Sequence, residues 1–204
     1  MPARNPPGRN VIVHLSRIRS GDVEALNLLM REAWAPLVTH LATLVGSGAA
    51  AQDAAQEAFV RLWEHRERWE SGSARAVLFR IGRNVALDER RRAEVRRRWA
   101  LSPSAEPPSR VPTPGEELEA AEFADRFWSA LEDLPPRRRE VFELVRFGGL
   151  SYAEAAHVMD LSEQTVANQM SRALKALRHL LAGFLSDADA AGAGRGREAG
   201  VSDG

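Results

Sequence analysis

Residues 149–181 read GLSYAEAAHVMDLSEQTVANQMSRALKALRHLL, and this stretch decides the fold. Ser151 stands three residues before Glu154, the spacing of a capping box, so a short helix is predicted over 152–159. Leu161 and Ser162 then supply a turn and a second capping residue, and a longer helix is predicted over 163–181. Ala155, Ala156, Leu161 and Val166 are apolar where two such helices would cross. Helix, tight turn and helix together form the helix-turn-helix pattern. At about 100° per residue, Val166, Met170, Ala173, Leu174, Leu177 and Leu181 share one side of the second helix, and Gln164, Thr165, Asn168, Arg172 and Lys175 share the other. The outward side is an inventory for reading bases. Asn and Gln pair bidentately with adenine, Thr touches a thymine methyl, and Arg172 and Lys175 can hold phosphates. A helical hairpin with a solvated polar face would look the same, so the rest of the chain has to discriminate.

The chain has 204 residues, 27% charged and 44% hydrophobic, an ordinary globular composition. It contains no cysteine, which excludes disulfides, thiolate metal sites and a cysteine nucleophile and fits a reducing, cytoplasmic setting. The histidines at 14, 40, 65, 157 and 179 are scattered without paired metal-ligand spacing, and Ser162 and Ser171 have helix-cap and helix-surface explanations. The expectation is therefore no enzyme, no metal and no cofactor. No stretch approaches the roughly 18 apolar residues of a membrane span, and the start MPARNPPGRN has no hydrophobic signal core, so no membrane insertion is expected. Formal net charge is zero, but the charge is segregated. Arg80 to Arg98 carries eight arginines against three acids, whereas Gly115 to Pro135 carries seven acids against one arginine. Such asymmetry marks a basic face for an anionic partner.

Apolar residues recur at helical spacing nearly throughout, and no alternating β-branched run is long enough for a strand, so the class is all-α. A first stripe runs from an N-cap at Asp22 to Val45, with Pro36 expected to break or kink it and Gly46-Ser47-Gly48 to end it. Further helices are predicted over about 51–69 and, after the turn Ser71-Gly72-Ser73, over 74–99. Leu101 to Glu116 holds five prolines and almost no apolar residues, which makes it a linker. Helices over about 117–131 and 136–147 precede the helix-turn-helix. The expected organisation is a disordered arm over 1–19, a helical domain over 20–99, a flexible linker over 100–116, a helix-turn-helix domain over 117–182 and a disordered tail over 183–204.

Leu131-Glu132-Asp133-Leu134-Pro135-Pro136-Arg137-Arg138-Arg139-Glu140-Val141-Phe142, followed by the Gly149 to Glu154 segment, Leu161-Ser162 with Thr165-Val166, and Ser171 to Arg178, resembles region 4 of the extracytoplasmic-function (ECF) sigma factors of bacterial RNA polymerase. Asp53-Ala54-Ala55-Gln56-Glu57-Ala58-Phe59-Val60-Arg61-Leu62-Trp63 is similar to the segment of sigma region 2 that docks on the polymerase β′ clamp helices. Asp53, Gln56 and Glu57 would lie on one helical face, with Arg61 and Trp63 following, although a solvated acidic face has the same spacing. Leu78 to Arg92 resembles the promoter-melting helix, with Arg80, Arg83, Asn84 and Arg91 on one side and Val77, Leu78, Ile81 and Val85 on the other. It departs from the family at Gly82, where alanine is usual and where a mid-helix glycine costs about 1 kcal/mol. Asp88 is expected to form an internal ion pair with Arg92. The loop from Trp69 to Arg75 corresponds to the family's pocket for an unstacked minus-ten base, with Trp69 as a wall. In the recognition helix, Ala167 and Gln169 stand where the family commonly has cations, so Asn and Gln hydrogen bonds should weigh more there.

The resemblance implies a transcription initiation factor that brings core RNA polymerase to promoters, with contacts to the β′ clamp helices and the β flap, and an anti-sigma factor as a further partner. Region 2 would recognise and melt the minus-ten element. Region 4 would read the minus-thirty-five element through Gln164, Thr165, Asn168 and Gln169, with Arg172 and Lys175 on phosphates. The competing reading is a stand-alone helix-turn-helix regulator, for which the Asp53 to Trp63 segment has no use.

Overall fold

The structure, a computed structural model, describes residues 15–69, 73–99 and 118–195. The linker assigned to 100–116 and most of the N-terminal arm lie outside the described residues. The elements are α1 (Leu15–Arg19), α2 (Val23–Val45), α3 (Gly48–Glu64), a 3-10 turn (Arg66–Arg68), α4 (Ala74–Trp99), α5 (Leu118–Glu132), α6 (Pro136–Arg146), α7 (Tyr152–Met159) and α8 (Glu163–Arg195). Among the described residues there is no strand, and the fold is all-α.

The helices start where the sequence offers caps. Asp22 accepts the Ala25 amide at 3.1 Å, Ser47 accepts the Ala50 amide, and Ser73 accepts the Ala76 amide. Ser47 moves the start of α3 three residues ahead of the expected one. Pro36 does not end α2, which runs on to Val45, closed by Gly46 in the left-handed conformation. Packing accounts for that: Ala33 and Leu37, on either side of Pro36, are wholly buried, and burial of one helical face outweighs one missing hydrogen bond. Residues 15–19, placed in the arm by the sequence, form α1 with Leu15 and Ile18 buried. At the other end α8 reaches Arg195, into the stretch read as a tail, where alanine favours helix.

The chain divides into two compact units. The first comprises residues 1–111 and 140–167. In it α2, α3 and α4 pack on one another around Leu37, Leu41, Leu62, Leu78 and Phe79, all at 0% exposure, and α7 packs on α4. Gly82 lies at the crossing. A β-carbon there would meet the Cδ1 atoms of Leu37 and Leu41 at 3.1 and 3.3 Å and the Ala58 methyl at 3.5 Å. The glycine that departs from the family pattern thus permits close approach of three helices. Gly82→Ala should consequently gain little or nothing from its better helix propensity, and Gly82→Leu should lose about 2–3 kcal/mol by overpacking. Urea unfolding of the two variants checks both; a clear gain for the alanine would show that the leucines yield freely.

The second unit comprises residues 112–139 and 168–204. Among its described residues, Ala130, Leu131, Leu134, Met170, Ala173 and Leu177 are buried and apolar. The Arg139 guanidinium there donates to the Glu132 and Leu134 carbonyls, fixing the turn that leads into α6.

Candidate functional site

The helix-turn-helix is built as the capping residues imply. The Ser151 hydroxyl accepts the Glu154 amide at 3.2 Å while Glu154 accepts the Ser151 amide at 2.8 Å, completing the capping box of α7. Asp160 closes α7 in the left-handed conformation, and the Leu161 amide donates to the Ala156 carbonyl. Ser162 caps α8 by accepting the Thr165 amide at 3.1 Å. Along α8, Gln164, Asn168, Arg172 and Lys175 are exposed, Thr165 and Gln169 are half-buried, and Val166 and Met170 are buried. The Thr165 hydroxyl is engaged with that of Ser162 at 2.7 Å, which ties it to the cap. Arg138, Arg172, Lys175 and His179 line one open hollow in the second unit. Arg138 was not legible as part of that basic group, because α6, which carries it, is distant in sequence from α8; His179, four residues after Lys175 on α8, was legible from helical spacing and was passed over.

On α3, Asp53, Gln56 and Glu57 are exposed as expected, and Phe59 and Leu62 are buried. Arg61 pairs with Glu57 at 2.7 Å on the surface. Val60, 49% exposed, lies on this same face, at the i, i+3, i+4, i+7 spacing from Asp53. Sequence reasoning passed over it, although an apolar residue within a polar face was the available signal. Trp63 is half-buried under the Arg66 guanidinium, 4.8 Å from its ring centre. The Trp69 indole N–H donates to the Leu62 carbonyl, which anchors the ring beside α3; residues 70–72 of the proposed base pocket lie outside the described residues.

On α4, Val77, Leu78 and Ile81 are buried and Arg80, Asn84 and Arg91 exposed, whereas Arg83 is largely buried. Asp88 departs from expectation: it is exposed and lies 3.4 Å from Arg91 rather than pairing inward with Arg92, because its side chain falls clear of the packed side of α4. The larger surprise is what meets the basic side. Arg83 donates to the Glu140 carboxylate at 2.6 Å, Arg80 to the His157 ring at 2.8 Å, and Arg75 to the Gly148 carbonyl. The Ser73 hydroxyl donates to Glu154. Glu143, 1% exposed, sits against His40 at 3.3 Å and accepts the Thr43 hydroxyl at 2.9 Å. Burial alone would raise the Glu154 carboxyl, but hydrogen bonds from Ser73 and Ser151 and the nearby Arg75 charge hold it below the ordinary carboxylate value. Its contribution to stability is therefore present at neutral pH and lost as pH falls through that lowered value. Among the described residues no group of three histidine, aspartate or glutamate side chains is placed to hold a metal, and no helix is long and apolar enough to cross a membrane.

Residues 30–96 match the Sigma-70 region 2 family and residues 124–177 match Sigma-70, region 4. The ECF RNA polymerase sigma factor SigL of Mycobacterium tuberculosis is 30% identical over 169 residues, covering 82% of this chain and 94% of that protein. Among solved structures, the sigma factor RpoE of Bartonella quintana, in complex with the anti-sigma factor NepR, superimposes with a TM-score of 0.63 at 26% identity, covering 76% of this chain and 94% of that one. CnrH in complex with the cytosolic domain of CnrY gives 0.56 at 26% identity, over 83% of this chain and 95% of that one. A two-region helical chain with a capped helix-turn-helix at one end is the architecture of a sigma factor. The chain belongs to the sigma-70 family, in its extracytoplasmic-function group, and is a promoter-directing RNA polymerase sigma factor.

Proposed function

We propose that each of the three polar faces has its own task. The α3 face of Asp53, Gln56 and Glu57, with Arg61, Val60 and Trp63, docks on the β′ clamp helices. The α4 side of Arg80, Arg83, Asn84 and Arg91 holds the minus-ten region as it opens, with Trp69 beside an unstacked base. The first turns of α8 read the minus-thirty-five element through Gln164, Thr165, Asn168 and Gln169, and Arg172 and Lys175 anchor phosphates. The observation that carries this reading is the division of α8 into a buried apolar side and an exposed polar side directly after a capped turn. The protein works in the cytoplasm without catalytic chemistry of its own, in contact with core polymerase, including the β flap, and with promoter DNA. The RpoE relative, solved in complex with the anti-sigma factor NepR, supports an anti-sigma factor as a further partner. The match over residues 30–96 weighs against a stand-alone regulator.

Two measurements test it. Asn168→Ala should change which promoter sequences are selected from a randomised pool, since a bidentate contact carries about 1–3 kcal/mol of base discrimination. Arg172→Ala should weaken all sites alike and flatten the salt dependence by about one unit of slope. An unchanged preference for the first and an altered one for the second would reverse the assignment of readers and anchors. Alanine at Asn84 and Arg91 should reduce open-complex formation on duplex templates more than on a pre-melted bubble, where the unpairing cost of a few kcal/mol is already met. Equal losses on both would reduce these residues to backbone contacts.

A further inference from the structure

The open hollow of the second unit is lined by Arg138, Arg172, Lys175, Ala176 and His179, so three cations and a histidine surround it and no carboxylate does. Arg172, Lys175 and His179 stand at the i, i+3, i+7 spacing of one face of α8 and are all exposed; Arg138 joins them from the first turn of α6. None of the four forms an ion pair with a described residue. The Nε atom of Arg138 is buried and has no hydrogen-bond partner among the described residues. A buried donor left unmatched is costly, and an anion in the hollow would match it. The start of α6 adds to that cost. Its first turn holds Arg137, Arg138 and Arg139 and no acid, where the helix dipole favours negative charge. Arg139 is accounted for by the Glu132 and Leu134 carbonyls, to which its guanidinium donates; Arg138 has no such acceptor among the described residues.

We propose that Arg138 and His179 complete, with Arg172 and Lys175, a single phosphate-binding site that joins α6 to α8. This rests on the reading of α8 as the minus-thirty-five helix and adds to it two residues from outside the reading turns. Arg138 supplies the fork of a guanidinium and His179 a ring N–H, which an imidazole offers in either charge state. The hollow, of about 320 Å³, is open rather than enclosed, a shape that suits one phosphate of a passing polymer. Its position suits DNA as well. Asn168 and Lys175 are seven residues apart on α8, a rise of about 10 Å, and the major groove is about 12 Å wide. A helix that presents Asn168 to base edges therefore reaches the groove wall near Lys175, and that wall is phosphate. A free phosphate anion offers the same chemistry, so the test separates the two sources.

The full chain, assembled with core polymerase, is measured on promoter duplexes in which the phosphates flanking the minus-thirty-five element are replaced one at a time by uncharged methylphosphonate. One position is expected where the replacement weakens binding by about tenfold, the size of one charge-assisted contact. In the variant Arg138→Gln, His179→Gln the same replacement should cost less than about twofold, because the charge it removes has lost its partners. That variant should also flatten the salt dependence by about one unit of slope and leave sequence preference unchanged. Arg138→Gln should keep or raise the thermal midpoint, since it takes a cation from a helix start. In a second arm, sodium tripolyphosphate is added at constant ionic strength to the full chain without DNA, and the His179 ring resonances are followed. A shift there that Arg138→Gln removes, with no sensitive position on DNA, would make a free phosphate the ligand of this site. Neither a sensitive position nor such a shift overturns the proposal, and Asn168→Ala on the same duplexes then locates the failure. If Asn168→Ala changes sequence preference, only the hollow was misread; if it does not, the reading of α8 fails with it.

Discussion

Reversing charge at Asp53 and Glu57 together, as Asp53→Arg and Glu57→Arg, is expected to abolish binding to core RNA polymerase and to leave the fold intact. Both side chains are exposed on α3, and the ion pair Glu57 makes with Arg61 is half-open to solvent, which limits it to at most about 1 kcal/mol. Substitutions at such positions change stability within about 0.5 kcal/mol, so the thermal midpoint should move by no more than a few degrees. At an interface the same change places like charges against a partner selected for an acidic face, which costs several kcal/mol. Each 1.4 kcal/mol is tenfold in affinity, and a loss of at least about a hundredfold follows. Fluorescence polarisation of the labelled protein against core polymerase, beside a melting curve, separates the two effects. Retained affinity would make this face an ordinary solvated surface. Val60→Asp should add to the loss, since it puts a charge on the apolar spot of the same face.

The largest stability effect is expected at Gly148→Ala. A methyl at Gly148 would be driven into the Leu144 carbonyl oxygen, an atom of the backbone that cannot rotate away, and would also press on the Phe79 ring at 3.1 Å. The amide of Gly148 is meanwhile held by the Glu143 carbonyl and the Leu150 amide by that of Leu144, so the turn has no slack. A loss of about 3 kcal/mol and a fall of about 10 °C in the midpoint are expected for a backbone clash in a packed turn. Helical circular dichroism against temperature measures it, and an unchanged midpoint would mean that the turn relaxes.

The features legible in sequence are those written within a few residues. Helical periodicity and the caps at Asp22, Ser151 and Ser162 placed the helices, and the alternation of Val166, Met170, Ala173 and Leu177 with Gln164, Asn168, Arg172 and Lys175 gave α8 its two sides. Pro36 misled because local propensity was weighed without the burial on either side of it. Asp88 misled because an i, i+4 partner was assumed when the i, i+3 one was as near. The engagement of Arg80 and Arg83 was out of reach, since no local rule pairs residues 57 and 77 positions apart. One hint was present: Glu143 interrupts an apolar run in α6, and a carboxylate on the core side of a helix demands a partner.

Those separations also impose an order in time. The ribosome delivers α2, α3 and α4 before any of α6 or α7 exists, and the 57 residues between Arg83 and Glu140 take about 3–11 s to synthesise at roughly 5–20 residues per second. For those seconds on every nascent chain, Arg83 has no Glu140 to meet.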